Sequence, residues 1–158
     1  MREILFRAQR KDNGEWVEGF YSQLPKPSLG ATIITNGDLC AEDVGDYIIV
    51  NRSRQHSNFS NAFPIEVVEC EYYEIDPETL CQYTGLKDKN GNRIWENDIV
   101  DTYEESSKEH LINVVKFENG CFKVFKKHYL PMYLDAYSKR DLITIGNIFD
   151  NPELMKGE

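Results

Sequence analysis

The residues of this chain that could do chemistry are three histidines, four cysteines and several clusters of carboxylates. Nucleophilic catalysis needs a serine or cysteine hydroxyl or thiol beside a base. His56, His110 and His128 sit in "RQHSN", "KEHLI" and "KKHYL". None lies in a G-x-S-x-G or H-E-x-x-H pattern, so all three read as solvated surface histidines. Cys40, Cys70, Cys81 and Cys121 form no C-x-x-C pair, which leaves no zinc knuckle and no dithiol redox site in the pattern. They fall in apolar runs such as "VVEC" and "GCFKVF" and read as small buried hydrophobes with free thiols. Glu96, Asp98 and Asp101 follow Trp95, and strand alternation would put Glu96 and Asp98 on one face. Such a pair could act as acid and base or hold a cation. Equal carboxylate density recurs in "EDVGD", "EYYEIDPE" and "YEESSKE", so solvated acidic faces explain it better. "GLKDKNG" lacks the G-K-[ST] ending of a phosphate loop. The expectation is no catalytic residue, no metal and no cofactor.

Composition narrows the function classes. The chain has 158 residues, with 18 Lys plus Arg against 27 Asp plus Glu, a net charge of −9. A duplex-DNA binder displays a basic face that displaces counterions from phosphates, and this balance argues against one. A local basic stretch does exist at Lys116, Lys123, Lys126, Lys127, His128, Lys139 and Arg140. The opening "MREILFRAQR" has no signal-peptide apolar core, and no 18-residue apolar run occurs. The expectation is a soluble cytoplasmic protein without a membrane partner.

The elements that would position any site are short apolar runs bounded by turn residues, which is strand patterning. Strands are predicted at 3–9, 15–21, 31–35, 46–50, 64–75, 97–104, 111–117, 121–127 and 141–149. Asn13-Gly14, Asn90-Gly91 and Asn119-Gly120 read as hairpin turns, because Asn and Gly accept positive φ at little cost. Residues 22–30 and 51–62 read as loops, and "YLPMYLDAY" (129–137) is ambiguous between helix and strand. Asp76-Pro77-Glu78 predicts one short helical turn with Asp76 as its cap, and Asn151-Pro152 repeats that logic. The segments 11–19 and 87–98 echo each other, which two independent hairpins with good turn chemistry explain without duplication.

The most specific stretch is "QYTGLKDKNGNRIWENDIV", residues 82–100. Gly85 and Gly91 are read as positive-φ turn residues. Asp88 and Asp98 are read as acceptors for turn amides, and Ile94, Ile99 and Val100 as interior side chains. The binding candidates drawn from this region are Gln82, Tyr83, Thr84, Leu86, Asp88, Asn90, Trp95, Glu96 and Asp98. Tyr83 and Trp95 keep two readings, as exposed recognition anchors and as core packing of a small β-domain.

These residues carry a resemblance. "MREILFRAQRKDNGEWVEGFY", "DPETLCQYTGLKDKNGNRIWENDIV", "VVKFENGCF" and "TIGNIFDNPEL" resemble, in that order, the YopX family of phage and prophage proteins. Asn97 stands where the family usually has Gly, and Asn is the residue that best tolerates that left-handed conformation. The resemblance implies an all-β, mainly antiparallel fold with one or two short helical turns. It also implies an SH3-like small barrel in the C-terminal half, packed with an N-terminal β-hairpin region. The chain is expected as a single protein, 1–158, with lobes at 1–75 and 76–158. The resemblance carries no agreed activity and no catalytic residues. The expected function is therefore a non-enzymatic phage accessory module whose partner is a phage or host protein, or another copy of itself. The alternatives are a nucleic-acid-associated replication or regulatory protein and an acidic DNA mimic.

Overall fold

The computed structural model describes residues 3–25, 44–55, 66–104, 108–126, 130–137 and 142–155. The predicted strand at 31–35, Cys40, His56 and His128 lie outside them. The chain divides into two compact units, one of Leu5–Leu80 and one of Met1–Ile4 with Cys81–Glu158. Both are built from antiparallel strands, and the described residues hold only short 3-10 turns as helical structure.

In the first unit, β1 (Phe6–Gln9), β2 (Trp16–Pro25), β3 (Val44–Gln55) and β4 (Glu66–Glu74) pair in sequence order. The Asn13-Gly14 turn closes as expected. Gly14, at φ 74°, donates to the Arg10 carbonyl, and Arg10 N–H donates to the Glu15 carbonyl. The buried centre is Ala8, Ile48 and Ile75, with Phe6, Val17, Tyr21, Val50 and Leu80 packed against it. Asp76 caps the 3-10 turn Pro77–Thr79 by accepting from Glu78 N–H at 3.1 Å. Buried Thr79 then accepts from Gln9 N–H at 2.9 Å, which ties that turn to β1.

Two strands outrun the sequence reading. β2 continues through residues 22–25, where a loop is predicted, because Pro25 occupies the strand terminus opposite Val44 and interrupts no interior ladder. β3 continues through 51–55, where a polar loop is predicted. Those residues pair with 66–70 of β4 by backbone hydrogen bonds, which do not require an apolar pattern.

In the second unit, β5 (Cys81–Lys87) pairs with β6 (Arg93–Trp95). A five-stranded sheet follows, made of β7 (Asp98–Glu104), β8 (Glu109–Glu118), β9 (Cys121–Phe125), β10 (Met132–Tyr133) and β11 (Leu142–Asn147). Its order is β10-β9-β8-β7-β11. The ambiguous 129–137 segment thus supplies the two-residue β10 and a 3-10 turn at Leu134–Ala136. Among the described residues no ladder joins β10 to β11, so this sheet is not closed into a barrel. Its core is Ile94, Val100, Val115, Phe122, Val124, Leu134 and Leu142, with Leu86 and Tyr137 against it. Asn119 (φ 54°) and Gly120 (φ 81°) are both left-handed, the type I′ geometry that joins β8 to β9.

The Asn90-Gly91 turn differs from its prediction. Gly91 N–H donates to the Asp88 carbonyl at 3.0 Å, and Asp88 N–H to the Asn92 carbonyl at 2.9 Å. The loop is therefore a turn centred on Lys89 and Asn90, with Gly91 after it at φ 86°, instead of a two-residue turn. Gly85 also has φ 86°, but inside β5 at the register shift between Tyr83 and Lys87, a bulge and not a turn. Asn97 is left-handed at φ 64°. A Cβ at Gly91 would meet nothing within 4 Å, so the cost of any side chain there is backbone strain alone. Gly91→Val should lose about 1–3 kcal/mol of stability, while Asn97→Gly should be neutral or mildly stabilising. Thermal melts of the two variants check the pair, and a Gly91→Val melt like the parent's would refute the turn assignment.

Candidate functional site

The residue types from which binding was expected divide sharply by burial. Trp95, Tyr83, Thr84, Asp88 and Asp98 are all buried, Asp98 to 1% exposure. Gln82, Leu86 and Glu96 are half-buried, and Asn90 is exposed. The Tyr83 and Trp95 rings pack at 5.4 Å as a cross-strand pair. They are interior packing and not exposed anchors.

The buried polar groups of the motif hold its backbone. The Asp88 carboxylate accepts from Asn90 N–H and Asn92 N–H, both at 2.9 Å. Its other oxygen accepts from the Asn92 side-chain amide at 3.2 Å and from Thr144 N–H of β11, also at 3.2 Å. Lys89 N–H adds a bond to the Leu142 carbonyl at 3.0 Å. Burial is the largest single influence on the Asp88 carboxyl and pushes its pKa up. The donors from Asn92, Thr144 and Asn90 together outweigh it and hold the pKa below the ordinary value. Asp98 accepts from Trp95 N–H at 2.8 Å across the next turn. Asn97 is fixed on both sides, donating to the Val115 carbonyl at 2.7 Å and accepting from Ile148 N–H at 3.0 Å. Thr84 donates to the Ile94 carbonyl at 2.8 Å and accepts from Leu86 N–H, spanning the Gly85 bulge.

The carboxylates considered for chemistry do not converge. Asp98 is occupied by the Trp95 amide, and Asp101 bonds His110 Nδ1 at 2.9 Å on the surface. His110 packs 5.3 Å from the Tyr103 ring, and no serine or cysteine is hydrogen-bonded to it among the described residues. No group of three or more His, Cys, Asp or Glu is placed to hold a metal among the described residues. Cys70, Cys81 and Cys121 are free thiols. In the basic stretch, Lys123 is bonded to Glu118 at 3.1 Å with its side chain 15% exposed, so part of that charge is neutralised.

The surface that could receive a ligand lies beside the motif. A groove of about 520 Å3 runs between β5, the β8–β9 turn and the segment Tyr133–Asp135. Leu86, Phe122 and Leu134 from the core line it. Phe117 and Tyr133 also line it, and they are 47% and 59% exposed. Phe117 is braced by Phe122 at 5.0 Å, and Tyr133 by the Lys123 ammonium at 5.9 Å. Met132 and Leu130, at 48% and 89% exposure, extend the apolar character along β10. Of the expected binding residues, Thr84 and Leu86 reach this groove. Phe117, Phe122, Tyr133, Leu134 and Asp135 were not expected there. The signal available for them was the aromatic density of "KFENGCF" and "YLPMYLDAY", which says nothing about which rings stay outside.

Known proteins add the family. The family model described as YopX protein matches residues 5–156. The chain belongs to the YopX family. The crystal structure of protein EF1440 from Enterococcus faecalis is similar to this YopX chain, with a TM-score of 0.54 at 21% identity. The likeness covers 98% of this chain and 99% of that one, and it is a likeness of fold. No curated protein matches the chain. No helix among the described residues is long and apolar enough to cross a membrane.

Asp88 gives this YopX chain a pH dependence with a definite sign. A carboxylate held below its ordinary pKa by the native fold stabilises that fold above the ordinary range near ~4. The stabilisation is lost as pH falls through the folded value. Asp88→Asn keeps one acceptor but turns an N–H2 group toward the Thr144 and Asn92 donors. It should cost about 1–3 kcal/mol at neutral pH, and the gap to the parent should narrow as pH falls below the ordinary carboxylate range. Urea midpoints across that range measure it, and parallel curves for parent and variant would contradict the assignment.

Proposed function

We propose that this YopX chain is a non-enzymatic protein-interaction module that receives its partner in the groove beside β10. The supporting observation is the pair of exposed rings, Phe117 and Tyr133, that line a groove with the core residues Leu86, Phe122 and Leu134. Large apolar side chains held in a pocket by a rigid sheet are the anchors on which interfaces spend most of their binding energy. Exposed apolar surface of this kind on a strongly acidic, soluble-looking chain marks a contact surface more often than chance exposure. The motif at 82–100 serves the module by fixing Thr84 and Leu86 in the groove wall and not by touching the partner with Trp95 or Tyr83.

The family resemblance supports a phage or prophage accessory role in the cytoplasm of a bacterial host, with a phage or host protein as partner. It also carries the SH3-like reading of the second unit, in which a small open sheet presents loops and an edge strand to partners. An enzymatic role has less support, since His110 and the carboxylates are committed to surface or structural bonds. Nucleic-acid binding has less support too, given the net charge of −9 and the Lys123–Glu118 pair.

Photo-crosslinking in expressing bacteria tests the surface. With Tyr133 replaced by p-benzoylphenylalanine, illumination should yield a discrete crosslinked species, lost when Phe117→Asp is added. The same probe at Phe20, an exposed ring of the other unit, should yield none. Crosslinking from position 20 and not from 133 would show that the partner binds elsewhere. Trp95→Ala is the wrong probe for binding, because emptying a buried tryptophan site costs about 3–5 kcal/mol of stability.

A further inference from the structure

The groove also specifies the chemistry of its occupant. Among the described residues, Asp135 is the single charged one that lines it. It is exposed, in the 3-10 turn immediately after the buried Leu134. Among the described residues it has neither a hydrogen bond nor an ion pair. Lys123 is bonded to Glu118, and Asp88 and Asp98 to backbone amides. Among the described residues the groove therefore offers an apolar floor, two aromatic rings and one unpaired carboxylate, and no cation lines it. Among the described lining residues a basic side chain would find a counter-charge, and a phosphorylated or acidic one would not. The groove takes in Tyr133 of β10, an edge strand whose outer side has no ladder partner among the described residues. An unpaired strand edge favours an occupant in extended conformation.

Resting on the interaction-module reading, we infer that the groove takes an extended segment of a partner protein. That segment places an apolar side chain between Phe117 and Tyr133 and a Lys or Arg against Asp135. The division of labour follows from the two kinds of contact. The apolar anchor, desolvated in the groove, carries affinity. The rim charge, still in contact with water, sets orientation and selects sequence while adding little strength.

Selection from a display library of random dodecapeptides on the folded full chain tests this. The expected result is enrichment of peptides pairing an aliphatic or aromatic residue with a Lys or Arg a few positions away. Their amide shift changes should map to the groove. Asp135→Asn should weaken a selected peptide about two- to fivefold, Asp135→Lys should reverse the selection toward Asp and Glu, and Phe117→Ser should weaken it tenfold or more. Asp135 and Phe117 are exposed, and thermal melts confirm that the variants remain folded. Groove-binding peptides without basic enrichment, or binding indifferent to Asp135→Lys, would overturn this inference while leaving the interaction surface standing. If no peptide binds the groove, both fail. A dimer in sedimentation that Tyr133→Glu dissociates would put a second copy of the chain there and overturn the inference.

Discussion

The buried carboxylate of Asp88 gathers hydrogen bonds from two parts of the chain 56 residues apart. One oxygen takes the amides of Asn90 and Asn92 and shapes the turn between β5 and β6. The other takes Thr144 N–H and so fastens that turn to β11. Bonds to a charged acceptor are worth about 1.5–3 kcal/mol each when well placed, against a whole-domain stability of only about 5–15 kcal/mol. The consequences spread from there. With the turn fixed, β6 places Ile94 in the core shared by Val100, Val115, Phe122 and Leu142. Thr84 then bonds the Ile94 carbonyl and sets the Gly85 bulge. That bulge settles where Thr84 and Leu86 stand in the groove wall.

The same logic explains why the large side chains of the most specific stretch of the sequence are buried. Trp95 N–H is held by Asp98, Asn97 is bonded through both its N–H and its carbonyl, and Tyr83 packs at a tilt against Trp95. Each of these residues is demanded by a backbone geometry or a cavity in the interior. A motif of this kind recurs wherever the fold recurs, whatever its members bind. Phe117, Tyr133 and Asp135 stay exposed instead, and the proposed interaction surface is drawn from them.

What could be read from sequence was local. Asn119-Gly120 and the Asp76-Pro77-Glu78 cap depend on residues within four positions of one another, and both formed as their chemistry requires. The amide-accepting role of Asp88 toward Asn90 and Asn92 was legible for the same reason. Its bond to Thr144 was not, because nothing in an aspartate's neighbours reveals a partner 56 residues away. β3 beyond Val50 was hidden because backbone pairing with β4 leaves no apolar alternation to read. The open sheet and the groove were hidden too, since the groove is assembled from three separated segments whose aromatic rings look alike in sequence whether buried, as Phe122, or exposed, as Phe117.

Native-state hydrogen exchange at Thr144 is the most direct test of the claim that Asp88 holds the second unit together. If the carboxylate fastens the turn to β11, the amides of Thr144, Asn92 and Lys89 exchange only through unfolding of the whole unit, with opening free energies equal to those of core residues such as Val115. Asp88→Ala should then drop all three together, to the level of a locally opening loop. Rapid, independent exchange of Thr144 in the parent protein, with Val115 fully protected, would show that the turn and β11 open separately and that the fold rests on something else.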